Sequence, residues 1–165
     1  MKEIVVIAHD IRSTHNVGSL LRTAEGLGVA KVYLTGYTPY PRQQHDERLP
    51  HLAAKIDTQI AKTALGAENM VDWQHSENIA QVLDALKADG FQIIALEQTP
   101  DAVPLPSFAS TQKVALVLGR EVEGVDPKIL SLCDTVVEIP MAGNKESFNV
   151  VQAAAMTLYH LRCVA

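Results

Sequence analysis

The sequence predicts an α/β domain, a mostly parallel six-stranded sheet flanked by helices. Two observations carry that expectation. Short apolar runs of strand length alternate along the chain with segments whose apolar residues recur at helical spacing. The runs at 4–8 and 114–118 are apolar throughout, as in strands buried on both faces.

In chain order, residues 4–8 read as the first strand and the polar turn 9–15 follows it. Asn16 is placed to cap a helix in which Val17, Leu20, Leu21, Ala24 and Leu27 repeat on one side, and Gly28 ends it. Residues 31–34 form a second strand, so the opening is a strand-helix-strand unit. Residues 36–50 are irregular, with Pro39, Pro41 and Pro50 around a polar cluster at 42–48. A helix through Leu52, Ile56 and Ile60 comes next, then a short strand at 70–73. Asn78 opens a helix carrying Ile79, Val82, Leu83 and Leu86, which Gly90 stops.

Residues 91–96 are a strand, 97–112 a loop with three prolines, and 114–118 the most apolar and therefore central strand. The loop 119–124 and a short helix at 127–132 lead to a last strand at 136–139, which Pro140 ends because it cannot donate to a ladder. Gly143 and Asn144 suit a tight bend, and Ser147 or Asn149 can cap an Ala-rich final helix. In an open parallel sheet, ligands bind beyond the carboxyl ends of the strands, so the loops after residues 96, 118 and 139 are the expected walls of a site.

Of 165 residues 47% are apolar, enough for one domain with a substantial core. No apolar run approaches the length of a membrane span and no secretory pattern opens the chain, so a cytoplasmic protein is expected. The net charge of −5 counts against nonspecific polyanion binding, although residues 1–62 hold eight Lys or Arg against six acids. Cys133 and Cys163 have no redox or zinc spacing, and the six histidines are scattered, so no metal is expected. The loop 119–124 lacks both the dinucleotide fingerprint and the phosphate-binding lysine.

Three segments together resemble the SpoU/TrmH family of the SPOUT class of RNA methyltransferases. They are Asn16-Val17-Gly18-Ser19-Leu20-Leu21-Arg22-Thr23-Ala24-Glu25-Gly26-Leu27-Gly28, Leu118-Gly119-Arg120-Glu121-Val122-Glu123-Gly124-Val125, and Ile139-Pro140-Met141 continuing to Ser147-Phe148-Asn149-Val150. The stretch 62–68 is similar as well. The resemblance implies a C-terminal trefoil knot, a homodimer, S-adenosylmethionine as cofactor, and methylation of a ribose 2′-hydroxyl in tRNA or rRNA. It implies a cofactor pocket at Leu96, Gly119, Ile139, Met141 and Ser147, with Arg22, Asn16, Glu121, Ser147 and Asn149 as the catalytic set. Phe148 stands where the family often has Leu. A single methyltransferase domain over 1–165, with no separate RNA-binding domain, is expected. Two other readings compete: an RNA-binding or cofactor-sensing module without turnover, and a small-molecule enzyme using a different nucleotide.

Overall fold

The computed structural model describes residues 1–164. Its parallel sheet has the order β3-β2-β1-β6-β4-β7-β5. The strands are β1 (Glu3–His9), β2 (Lys31–Thr35), β3 (Trp73–Ser76), β4 (Gln92–Leu96), β5 (Val103–Pro104), β6 (Lys113–Leu118) and β7 (Thr135–Glu138). The helices are α1 (Thr14–Gly26), α2 (Pro50–Ala64), α3 (Ile79–Ala88), α4 (Pro127–Leu130) and α5 (Val150–Tyr159), the last continuing into a π-helical turn, His160–Val164. No helix is long and apolar enough to cross a membrane among the described residues.

Alternation along the central strands divides the core. Ile4, Val6, Ala8, Val114, Leu116 and Leu118 face the layer of α1, α2 and α5, while Val5, Ile7, Ala115 and Val117 face α3 and α4. All ten are buried, which is why these two strands carry no polar alternation.

Three expectations need correction. The sheet has seven strands, because β5 is a two-residue edge strand within the stretch read as loop. Pro104 is tolerated there because an edge strand has one side free of ladder bonds. The strand expected at 70–73 lies instead at Trp73–Ser76, since Ala67–Asn69 coils into a 3₁₀ turn. Its polar residues are held individually: Trp73 Nε1 donates to Glu68 O (3.0 Å), and His75 Nδ1 meets Leu34 O (2.9 Å). Finally, Ser13 rather than Asn16 caps α1, accepting from Asn16 N at 3.2 Å.

The position of β7 matters most for the site. It pairs with β4 on one side and β5 on the other, and both belong to one earlier stretch of chain. The connection that leaves β4 reaches the sheet edge at β5 and returns to β6, with β7 seated inside it. That interleaving is what a knotted C-terminus requires, against the usual rule that chains do not thread their own loops. Beyond it, α5 packs on α1, and His160 Nε2 meets Phe108 O within the same connection (2.9 Å). Arg162 donates to Lys2 O, Leu27 O and Gly28 O at 2.6 to 2.9 Å, fastening the C-terminal turn to the N-terminal unit.

Helix α1 is held against α2 at Gly18. A Cβ there would lie 2.2 Å from Ile60 O and 2.9 Å from Ala64 N, both backbone atoms. Gly18→Ala must therefore separate the helices, and about 1–3 kcal/mol of destabilisation is expected. Thermal denaturation checks this, with a Tm lowered by several degrees.

Candidate active site

The carboxyl ends of β4, β6 and β7 and the loops that follow them enclose an open cavity of about 250 Å³. Leu96, Gly119, Glu121, Ile139 and Ser147 line it, so five of the positions singled out in the sequence converge. Met141 does not line it and lies half-buried just beyond. Gly119 is required by close packing: a Cβ would come within 2.4–2.5 Å of the backbone of Gly124 and Val125.

Glu97 escaped sequence reasoning. Its Oε2 accepts from Val125 N (2.8 Å) and its Oε1 from Gln98 N (2.8 Å), so it clasps the 119–124 loop. Gly124, at φ 72, leaves room for that carboxylate, which would lie 1.9 Å from an added Cβ. A carboxylate directly after an apolar strand was the available signal, but its partner lies 28 residues away. Phe148 lines the cavity too and is 39% exposed, so its ring offers a contact surface.

Asn149, Asn16 and Glu121, brought from distant parts of the chain, form a hydrogen-bonded series at the rim. Asn149 Nδ2 donates to Asn16 Oδ1 (3.3 Å), and Asn16 Nδ2 donates to Glu121 Oε1 (3.3 Å). Asn149 is fixed because its Oδ1 caps α5, accepting from Val151 N at 2.9 Å. Glu121 also accepts from Arg12 N and Ser13 N at 3.0 to 3.2 Å, at the free N-terminus of α1.

Burial raises the Glu121 carboxyl pKa, but the backbone N–H groups of Ser13 and Arg12 outweigh it and hold the group below the ordinary glutamate range. Because the folded pKa lies below the unfolded one, the stabilisation is present above the ordinary range and is lost as pH falls through the folded pKa. Acid denaturation should accordingly show a shallower loss of stability below about pH 5 in Glu121→Gln than in the parent.

Ser147 is exposed at the cavity and makes no hydrogen bond among the described residues. Arg22 is exposed on α1, outside the cavity lining, and its side chain makes no hydrogen bond or ion pair among the described residues. The geometry thus joins Asn16, Glu121 and Asn149, sets Ser147 beside them, and leaves Arg22 apart with its guanidinium free.

The lining chemistry suits a molecule with a cationic centre and a flat apolar part. Glu97, Glu121, Glu138 and Glu146 line the cavity together with Arg120, whose guanidinium is already shared between Asp10 and Asp126 at 3.8 Å each. Leu96, Leu118, Ile139, Phe148 and Val150 supply apolar surface.

Residues 3–159 match the SpoU rRNA Methylase family. The chain is 31% identical over 157 residues to the 23S rRNA (guanosine-2′-O-)-methyltransferase RlmB of Acinetobacter baylyi, covering 94% of this chain and 58% of that one. It is 30% identical over 158 residues to the tRNA (guanosine(18)-2′-O)-methyltransferase of Aquifex aeolicus, covering 96% and 68%. The crystal structure of the SpoU methyltransferase AviRb from Streptomyces viridochromogenes in complex with AdoMet superposes with a TM-score of 0.77 at 25% identity, covering 96% of this chain and 57% of that one. The chain therefore spans a little over half to about two thirds of these relatives. With almost its whole length matched, this chain belongs to the SpoU rRNA methylase family.

Proposed function

We propose that this chain is an S-adenosylmethionine-dependent RNA 2′-O-ribose methyltransferase acting on tRNA or rRNA. The observation that carries the reading is the Asn149–Asn16–Glu121 series, built from three distant segments at the mouth of a cavity formed by strand ends. A pure binding module has no need to hold these side chains in register beside a free serine hydroxyl.

Leu96, Gly119, Ile139 and Ser147 would hold the cofactor, with Met141 flanking them and Phe148 covering its apolar part. When bound, S-adenosylmethionine supplies an electrophilic methyl group on a sulfonium. The chain's task is then to set the acceptor hydroxyl in line and to stabilise the alkoxide as its proton leaves. A guanidinium has five N–H donors and no acceptor, so Arg22 is a poor base and a good clamp. It is assigned to the phosphate beside the target ribose and to the developing negative charge, with solvent taking the proton. Ser147 is assigned to the reacting groups, and Asn16, Glu121 and Asn149 keep the wall of the site in place.

A homodimer is part of this reading. Met156 and Tyr159 on α5 are 37% and 57% exposed and form an apolar strip suited to a second copy. Of the Ala-rich run, Ala154 packs inward on the core and Ala153 lines the cavity, so Met156 and Tyr159 supply the outward surface. Two copies would also join two of the relatively basic N-terminal portions, which eases RNA binding by an acidic chain. The cytoplasm is where such a substrate is met.

Calorimetry with S-adenosylhomocysteine, NAD and ATP tests the assignment of the cavity. Binding heat with S-adenosylhomocysteine alone is expected. Heat with NAD or ATP and none with S-adenosylhomocysteine would overturn it in favour of a small-molecule enzyme.

A further inference from the structure

We infer that Arg12 and Tyr37 form a stacking platform for an unpaired RNA base beside the target nucleotide, a reading that rests on the RNA methyltransferase function above. A single exposed tyrosine ordinarily needs no explanation. The setting of this one does.

Tyr37 is 53% exposed, and the Arg12 guanidinium, on a side chain 67% exposed, lies 6.0 Å from its ring centroid. Both residues are pinned through their backbones by carboxylates. Arg12 N donates to Glu121 at 3.1 Å, which ties the platform to the wall of the cavity. Tyr37 N donates to Asp10 Oδ1 at 3.0 Å.

The two turns that carry the pair are stitched together at some conformational cost. Asp10 sits at φ 54, a left-handed conformation uncommon for aspartate, and Gly36 at φ 64. A Cβ on Gly36 would fall 2.0 Å from Asp10 Oδ1, so only glycine admits that carboxylate. Thr38 Oγ1 accepts from Ile11 N (3.1 Å) and donates to Ala8 O (3.0 Å), while Asp10 N donates to Thr35 O (3.2 Å). Strain of this kind persists where surrounding bonds over-determine it, and it gathers at functional sites. Here it fixes two turns whose outward side chains do nothing for the core.

The chemistry selects the partner. An aromatic ring beside a guanidinium is what unpaired bases stack on, whereas duplex RNA is met through its phosphates and 2′-hydroxyls. Glu123 Oε1 lies 3.5 Å from Arg12 and offsets part of its charge, which weakens it as a phosphate hook and leaves its planar face for stacking. The platform adjoins Glu121, so the base it holds is a near neighbour of the methylated nucleotide.

Tritiated-methyl transfer to total tRNA and rRNA fractions, with Tyr37→Ala, Tyr37→Phe and Arg12→Ala beside the parent, tests this. Tyr37→Ala should raise the apparent KM for the accepting RNA about tenfold with kcat changed less than twofold. Tyr37→Phe, which keeps the ring, should restore the KM, and Arg12→Ala should raise it severalfold. S-adenosylhomocysteine affinity, read by calorimetry, should be the same in all four proteins. If the parent transfers methyl groups and Tyr37→Ala has the parent's KM, the platform is wrong and the function stands. If the parent transfers none, the functional reading falls. Equal retention of labelled tRNA by parent and Tyr37→Ala in filter binding would then overturn the platform as well.

Discussion

Arg22→Ala should bind S-adenosylhomocysteine as the parent does and transfer methyl groups about 10²–10³-fold more slowly, the usual cost of removing a donor to a developing oxyanion. The separation follows from its placement: Arg22 is exposed, is absent from the cavity lining, and its side chain makes no hydrogen bond or ion pair among the described residues. An exposed guanidinium without a carboxylate partner is available to a phosphate and an alkoxide, and its loss disturbs nothing inside. Lysine in its place keeps the charge but not the planar fork, so Arg22→Lys should recover only part of the rate. Single-turnover methyl transfer beside calorimetry distinguishes these outcomes. Near-normal turnover in Arg22→Ala would remove the residue from the mechanism.

Glu121→Ala should do broader damage. One carboxylate accepts from Arg12 N, Ser13 N and Asn16 Nδ2, and through Asn16 it reaches Asn149. Removing it strands donors at the start of α1 and frees both asparagines, for a loss of about 1–2 kcal/mol after allowing for the solvent that reaches the site. Methyl transfer should fall about 100-fold or more, because alignment is lost at a site whose rate depends on positioning. Chemical denaturation and steady-state kinetics on the same sample give both values. Asn16→Ala should lower the rate with a smaller loss of stability, since Ser13 caps the helix without it.

The contrast between Ser13 and Asn16 shows what local sequence can and cannot carry. Both are good capping residues three positions apart, and a helix start read from composition cannot choose between them. The choice was made by Glu121, more than a hundred residues away, which engages the Asn16 side chain. The central strands were legible because burial on both faces leaves an unbroken apolar run, as at 4–8 and 114–118. The edge strand β5 was not, because two residues including a proline carry no periodic signal and owe their strand geometry to β7. Similarly, β3 is polar and is set by individual hydrogen bonds from Trp73 and His75, which moved it three residues from its expected start.

Of the residues that line the cavity, Leu96, Gly119, Glu121, Ile139 and Ser147 could be named in advance because they stand at the ends of apolar strands or carry the family motifs. The clasp by Glu97 and the tether by Arg162 could not, because each depends on backbone atoms supplied by remote chain. The inserted position of β7 belongs with them, since nothing in hydrophobic periodicity distinguishes a strand that completes an edge from one inserted between two others.

The central claim is that a methyl group passes to an RNA ribose at this cavity. The direct measurement is incubation of the purified protein with tritiated S-adenosylmethionine and separate tRNA and rRNA fractions, followed by digestion to nucleosides and chromatography. Label in a 2′-O-methylated nucleoside, formed at a rate sharply reduced in Arg22→Ala, is the predicted result. Label on a base, or no label in either fraction from a protein that binds S-adenosylhomocysteine, would contradict it.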